Sequence, residues 1–257
     1  MTTGTDKVLI EHSGPVVLVT INRPDARNAV DLDVARALGS VFADIDADDA
    51  ARVAVLSGAG GTFCAGADLK ASARGEQPVT TDGGFGGITR TPPATPTIAA
   101  VEGFAVAGGL ELALACDLIV AAEDAKLGLP EVKRGLAAAG GGLLRLPRRI
   151  PYHLAMELAL TGEPITADRA HALGLVNRVT PHGAAREAAI ELAEHIASNG
   201  PLAVRASKQV VARQSSWTDD VAWEEQEKFL RPVFDSADAK EGPLAFAEKR
   251  PPVWTGR

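Results

Sequence analysis

The sequence predicts an α/β fold: successive strand-strand-helix units, followed by a mainly helical C-terminal part. Short apolar runs bounded by turn residues alternate with helical periodicity over the first half of the chain. The last third carries apolar residues at helical spacing with helix stops between them. The composition, 46% hydrophobic and 23% charged over 257 residues, supports a sizeable core rather than disorder. Aromatics are only 4% and glycine numbers 26, so the interior must be built mainly from Ala, Val, Leu and Ile.

In chain order, Val8 to Ile10 and Val16 to Ile21 read as strands joined by the turn Ser13-Gly14-Pro15, and Asn22-Arg23-Pro24 ends the second. Val34, Leu38, Val41, Phe42 and Ile45 share one face of a helix over Leu32 to Ile45. Val53 to Leu56 suits a strand buried on both faces. A glycine turn and a short extended piece at Phe63-Cys64 follow. Residues 71–96 are rich in Gly, Pro and Thr without periodicity, long for a loop and therefore expected to be functional or to hide a short helix. Thr97 to Val101 and Leu118 to Ala121 read as strands flanking a helix over Gly109 to Ala115. In the last third, helices are predicted over Ala184 to Ser198, Pro201 to Gln214, Trp217 to Asp235 and Pro243 to Lys249. In the first of these, Ala185, Ala188, Ala189, Leu192 and Ile196 share a face. This divides the chain into a core over 1–195 and a helical region over 196–257 that packs on the core and on neighbouring subunits.

A net charge of −7 disfavours a broad nucleic-acid or anionic-membrane surface, and no basic–aromatic stripe is present. Cys64 and Cys116 are too few for a disulfide scaffold and read as free buried thiols. The N-terminus lacks a signal-peptide core, and apolar runs are cut by Glu102, Glu111 and Asp117, so a soluble cytoplasmic protein is expected. Gly58-Ala59-Gly60-Gly61-Thr62-Phe63 fails as a dinucleotide fingerprint because Phe63 replaces the third glycine. Asp44, Asp46 and Asp48 fail as a calcium loop because Asp49 and Val55 occupy the required Gly and Glu positions. There is no P-loop and no Gly-x-Ser-x-Gly elbow. The five histidines lack metal spacing and read as surface residues, so no metal site is expected.

Three segments remain: Phe63 to Lys70, Ala100 to Leu112, and Leu127 to Glu131 followed by Gly135 and Gly140-Gly141-Gly142. Small residues at Ala65, Gly66, Ala67, Ala107, Gly108 and Gly109 let a ligand approach the backbone. Gly108-Gly109 opens a helix, where backbone N–H groups lack intrahelical partners and carry partial positive charge. Such a donor stabilises an oxyanion by about 3–4 kcal/mol, and a second donor from the Ala67 turn would complete a hole. Glu111 lies one turn after Gly108 on an otherwise apolar helix, where it either works chemically or complements the helix dipole. Glu131 alone reads best as the first-turn acid of a helix opened by Pro130. Two carboxylates and two oxyanion donors together suit adding or removing water beside a carbonyl.

These segments resemble the crotonase (enoyl-CoA hydratase/isomerase) superfamily. The likeness runs through Ile21-Asn22-Arg23-Pro24, Asn28-Ala29, Phe63 to Lys70, Ala107 to Glu111, Pro130-Glu131 and Arg145-Leu146-Pro147-Arg148. It continues through Leu160-Thr161-Gly162 and Ala172 to Asn177 to Phe246-Ala247-Glu248-Lys249-Arg250, nearly the whole chain. The resemblance implies a spiral of strand-strand-helix units with a C-terminal trimerisation region. It implies an oxyanion hole from the N–H groups of Ala67 and Gly108, and acid/base roles for Glu111 and Glu131. It implies contacts to coenzyme A from Ala26, Arg27, Ala65, Asp68 and Leu69, with Phe246 and Lys249 closing over the coenzyme. Trimers, or hexamers of paired trimers, are implied as well. Coenzyme A would be part of the substrate, with no separate cofactor: no metal, flavin or nicotinamide. Ala107 stands where the family often has glycine, the proline common near Ala138 is missing, and Leu143-Leu144 replace a polar pair.

The reaction expected from the resemblance is reversible syn hydration of a 2-enoyl-CoA. Glu111 would mainly activate water and Glu131 mainly protonate the α-carbon. The rivals are enoyl-CoA isomerisation, dehydration of a specialised hydroxyacyl-CoA such as a carnitine derivative, and a non-catalytic CoA- or RNA-binding scaffold.

Overall fold

A computed structural model describes residues 3–257 of the protein. Strands β1 (Thr3–Thr5), β2 (Val8–Ser13) and β3 (Val16–Ile21) form an antiparallel meander. Helix α1 (Leu32–Ala47) starts at Asp31, whose side chain accepts from the Val34 N–H at 2.9 Å. Its predicted face, Val34, Leu38, Val41, Phe42 and Ile45, is buried. Then come β4 (Val53–Gly58), α2 (Leu69–Ala73), the hairpin β5 (Val79–Thr80) and β6 (Gly84–Phe85), β7 (Thr97–Val101) and β8 (Phe104–Val106). Helix α3 (Gly108–Ala115), β9 (Leu118–Ala122), β10 (Lys126–Gly128), α4 (Gly142–Arg145) and α5 (Tyr152–Thr161) follow. The chain ends through β11 (Ile165–Thr166), α6 (Ala167–Ala172), β12 (Arg178–Thr180), α7 (Ala185–Ala197), α8 (Pro201–Arg213), α9 (Ala222–Phe234) and α10 (Asp238–Glu248).

The main sheet has seven strands in the order β1-β2-β3-β4-β7-β9-β12, parallel from β3 onward. Each inner strand is followed by a short segment in a second, smaller layer and then by a helix. β4 leads to Cys64 and α2, and β7 leads to β8 and α3. This is the predicted stacking of strand-strand-helix units. The parallel strands β4 and β7 are buried along nearly their whole length and apolar, as two-sided coverage requires. Helix α7 lies on this sheet through Ala185, Ala189, Ala193 and Ala197, while Ala188, Leu192 and Ile196 are only partly buried. Alanines at every fourth position let the helix approach the strands more closely than leucine would.

The glycine-rich segment 71–96 is ordered by hydrogen bonds rather than by periodicity. Arg90 N–H donates to Gly83 O (2.7 Å), the Thr91 hydroxyl to Asp82 O (2.8 Å), and the Ala94 and Thr95 N–H groups to the Asp46 carboxylate (2.7 Å each). Gly87, at φ +76°, packs so close to α1 that a Cβ would stand 2.2 Å from Ala35 O.

Between Leu118–Ala121 and Ala184 the sequence suggests only a helix opening at Pro130, yet β10, α4, α5, β11, α6 and β12 lie there. α5 is apolar on its exposed side too, at Tyr152, Met156 and Leu160, which erases the periodic contrast. The helix expected over Trp217 to Asp235 begins only at Ala222, after a turn. The last helix begins at Asp238 instead of Pro243. There Asp238 accepts from the Thr255 and Gly256 N–H groups (2.7 and 2.9 Å), and the Trp254 ring packs over Gly242. These tertiary contacts override the Gly-Pro pair. Both cysteines are unpaired buried thiols, each pushed up to about 12 by burial. Among the described residues no helix is long and apolar enough to cross a membrane.

Candidate active site

Three extended pieces of the second layer lie side by side and parallel. Cys64 bridges Ala105 of β8, and β8 pairs with β10 in the register Val106 to Gly128. All three therefore end at the same carboxyl edge, where ligands collect in parallel α/β sheets. From that edge emerge the Ala65–Ala67 turn, the start of α3 with Gly108, and the 3-10 turn Pro130–Arg134 carrying Glu131.

The first two turns touch. Gly66, at φ +96°, lies so near the start of α3 that a Cβ would stand 2.8 Å from the Ala107 Cβ and 3.1 Å from the Gly108 N. Among the described residues, neither the Ala67 nor the Gly108 N–H donates to a protein acceptor. Ala107, just before α3, has φ 54° and ψ −129°, a region costly for any residue with a Cβ. Ala107→Gly is expected to remove this strain, raising Tm by about 2–4 °C. An unchanged or lower Tm would mean that the surroundings already compensate it.

Glu111 is 3% exposed, and its Oε1 accepts from the Gly142 N–H at 2.9 Å. Gly140 packs against the same carboxylate, so that a Cβ there would lie 2.4 Å from Glu111 Oε2. Burial pushes the Glu111 carboxyl up to about 7, aided by the nearby Glu131 charge and opposed by the Gly142 N–H. Burial also raises Glu131, whose Oε2 is enclosed and has no hydrogen-bond partner. An enclosed carboxylate oxygen left unpaired is costly unless a reactant satisfies it. The edge thus carries two carboxyl groups, the Glu131 charge acting on Glu111, beside two free backbone donors.

The chain matches known proteins over nearly its whole length. The enoyl-CoA hydratase/isomerase family model matches residues 11–257. The chain belongs to the enoyl-CoA hydratase/isomerase family. The crystal structure of enoyl-CoA hydratase EchA1 from Mycobacterium marinum is 58% identical, covers 98% of this chain and all of its own, and superposes with a TM-score of 0.96. Enoyl-CoA hydratase EchA19 of Mycobacterium tuberculosis is 42% identical over 97% of this chain and 96% of its own length. Carnitinyl-CoA dehydratase of Salmonella typhi is 41% identical over 98% of this chain and its own full length. The crotonase resemblance and the predicted fold are borne out, and the protein is an enzyme with crotonase-type chemistry.

The other residues expected from the family divide into two groups. Ala26, Arg27, Ala65, Asp68 and Leu69 gather along one stretch, joined by the Ala65 N–H to Arg27 O (3.0 Å) and the Asp68 N–H to Val30 O (2.9 Å). Arg27 and Leu69 are exposed, but the Asp68 carboxylate is engaged inside the protein. It pairs with Arg23 (2.9 Å) and caps α2 through the Lys70 and Ala71 N–H groups (3.0 and 3.1 Å). The Arg23 guanidinium holds the Asp68 carboxyl below its ordinary value. Phe246 and Lys249 lie apart, on and just after α10, with Phe246 86% exposed and neither side chain hydrogen-bonded to the Ala26–Leu69 stretch.

Two contacts at this site go beyond the sequence reading. The ring of Phe85 lies against Gly108, its Cζ 2.2 Å from where a Cβ would stand. Arg145, at the end of α4, donates to Thr89 O at 2.5 Å and tempers the Glu111 shift with its charge. Neither has a sequence signal, because each acts through a contact distant along the chain. A separate group, Glu102, Asp124 and His182, is internally satisfied: His182 bonds Asp124 (2.9 Å), and Glu102 accepts from the Gly183 and Ala185 N–H groups before α7 (3.0 and 2.8 Å).

Proposed function

We propose that this enzyme catalyses the reversible syn hydration of a 2-enoyl-CoA to a 3-hydroxyacyl-CoA. The observation that carries the reading is the convergence of Glu111 and the unpaired Glu131 Oε2 beside two N–H groups without acceptors. In this reading the Ala67 and Gly108 N–H groups hold the thioester oxygen and stabilise enolate charge as it develops. Glu111, ionised above about pH 7, orients water and takes its proton as oxygen attacks the β-carbon. Glu131, whose carboxyl burial raises above its ordinary value, supplies the α-proton. Both groups act from one side of the substrate, so hydrogen and hydroxyl add to the same face. The pair shares protons, and its pH profile belongs to both groups.

Backbone along Ala26, Arg27, Ala65, Asp68 and Leu69 would contact coenzyme A, with Asp68 acting through its main chain. Phe246 and Lys249 would close over a neighbouring subunit's coenzyme in a homotrimer or a hexamer of paired trimers. Exposed Trp223, Phe234 and Phe246 on the C-terminal helices support such an assembly. The unpaired thiols of Cys64 and Cys116 support a cytoplasmic setting. No separate cofactor enters this chemistry. Dehydration of a specialised hydroxyacyl-CoA, the reaction named for the Salmonella relative, would use the same carboxylates.

The test is incubation with a short 2-enoyl-CoA, followed as lost ultraviolet absorbance of the conjugated thioester. Hydration predicts disappearance with formation of the hydroxyacyl product. Conversion of 3-enoyl but not 2-enoyl thioesters would replace hydration by isomerisation.

A further inference from the structure

We propose that Arg145 is a positioning residue for this reaction: its guanidinium shapes the Gly140–Gly142 turn that seats the Glu111 carboxylate and places a fixed positive charge in range of it. The inference rests on the reading of Glu111 as the base for water and adds a residue that controls when that base is ionised.

The geometry begins with three consecutive glycines. A Cβ on Gly140 would stand 2.4 Å from Glu111 Oε2, and one on Gly142 3.1 Å from Glu111 Oε1. A Cβ on Gly141, between them, would stand 2.2 Å from Arg145 Nη1. One turn thus receives the carboxylate at its outer residues and the guanidinium at its middle one. Gly141 has φ +105°, a region that disfavours residues with a side chain, and its carbonyl accepts from the Arg145 N–H at 2.9 Å. Arg145 therefore folds back over the turn that opens α4. From the same guanidinium, Nη2 donates to Thr89 O at 2.5 Å. Thr89 is buried, and its N–H donates to Phe85 O at 3.3 Å. Phe85 Cβ in turn lies 3.0 Å from the Gly140 Cβ position. The turn is held by Phe85 at Gly140 and by Arg145 at Gly141, which leaves the Gly142 N–H aimed at Glu111.

The charge matters as well as the shape. Arg145 is half-buried, where a cation is costly without an anion in range. Glu111 is the anion that favours it, while Arg148 and Arg149, further along the chain, oppose it. Two charged side chains act on Glu111: Glu131, from the 3-10 turn after β10, raises its carboxyl together with burial, and Arg145, from α4, lowers it. The Gly140 and Gly142 N–H groups act in the same direction as Arg145. Removing the Arg145 charge therefore leaves Glu111 protonated to higher pH. Removing only its planar fork keeps the charge and loosens the turn.

The experiment records kcat and KM for a 2-enoyl-CoA between about pH 5 and pH 9 with the wild type, Arg145→Lys, Arg145→Gln and Arg145→Met, and with Arg148→Gln as a control. The two neutral Arg145 variants are expected to move the acidic limb of kcat/KM to higher pH. Activity at about pH 6 should then fall at least about threefold more than activity at about pH 9. Arg145→Lys is expected to keep the limb in place and lower the plateau kcat, with KM changed by less than about threefold. Arg148→Gln should leave the limb where it is. Arg145→Gln carries the comparison if the methionine variant does not fold. Lost activity with an unmoved limb in both neutral variants, or a limb moved equally by Arg145→Lys, would overturn the proposal. Urea unfolding reads the same effect without turnover. The stability gained on Glu111→Gln should keep rising to higher pH in the Arg145→Gln background than in the wild type. That shift in a protein without hydration activity would count against the base reading and leave the role of Arg145 intact. Its absence would overturn the role of Arg145 whatever the activity.

Discussion

Glu111→Gln is expected to lose activity and gain stability. In its proposed role as the base for water, Glu111 would contribute about 10²–10⁴-fold, and its replacement should lower kcat/KM by that factor. The stability effect has the opposite sign because burial raises the folded carboxyl from its ordinary 4.5 to about 7. The unfolded chain ionises this group above pH 4.5, whereas the folded chain retains the proton until about pH 7. Folding of the wild type is therefore progressively weakened as pH rises across that window. Glutamine does not titrate, and its oxygen can still accept from the Gly142 N–H. The variant should match the wild type below pH 4.5 and exceed it by about 3 kcal/mol above pH 7. Urea unfolding across this range checks the sign. Parallel stability curves, or an active variant, would remove Glu111 from the proposed role. Wild-type activity should likewise fall as pH drops through about 7.

Gly140→Ala is expected to impair catalysis with little effect on substrate binding. The new methyl group would lie 2.4 Å from Glu111 Oε2 and 2.9 Å from its Cδ, while Phe85 Cβ blocks retreat at 3.0 Å. Gly140 has no positive φ, so the substitution brings no backbone penalty and its effect is that of the displaced carboxylate. A misplacement approaching 1 Å costs about 10²-fold in rate. The expected result is a kcat reduced by about that factor, with affinity for butanoyl-CoA changed by less than about threefold. A KM effect at constant kcat would mean that Gly140 serves binding instead.

The two substituted positions differ in how directly the sequence conveys them. The apolar runs Val16–Ile21 and Val53–Leu56, the face of α1, and the order of the strand-strand-helix units are legible because burial imposes periodicity on local sequence. Glu111 is legible for a related reason: a carboxylate in an otherwise apolar helix is conspicuous. Glu131 is not, because Pro-Glu also opens ordinary helices, and only the parallel register of β8 and β10 brings it to Glu111. Gly140 and Gly142 act by leaving space for a carboxylate and by donating to it across 31 residues, which no local pattern encodes. Asp68 illustrates a different limit. Its position in the family pattern is clear, but its carboxylate is used for capping α2 and pairing with Arg23. The segment 71–96 lacked periodicity because its glycines serve close packing against α1 and its order comes from Asp46 and Arg90.

The most direct test of the paired-glutamate mechanism is hydration of crotonyl-CoA in deuterium oxide, with the product analysed by nuclear magnetic resonance. Concerted use of Glu111 and Glu131 from one side predicts a single deuteron at the α-carbon, on the same face as the new β-hydroxyl. Deuterium at the γ-carbon without hydroxyl formation, or a random distribution over the two α-carbon faces, would contradict it.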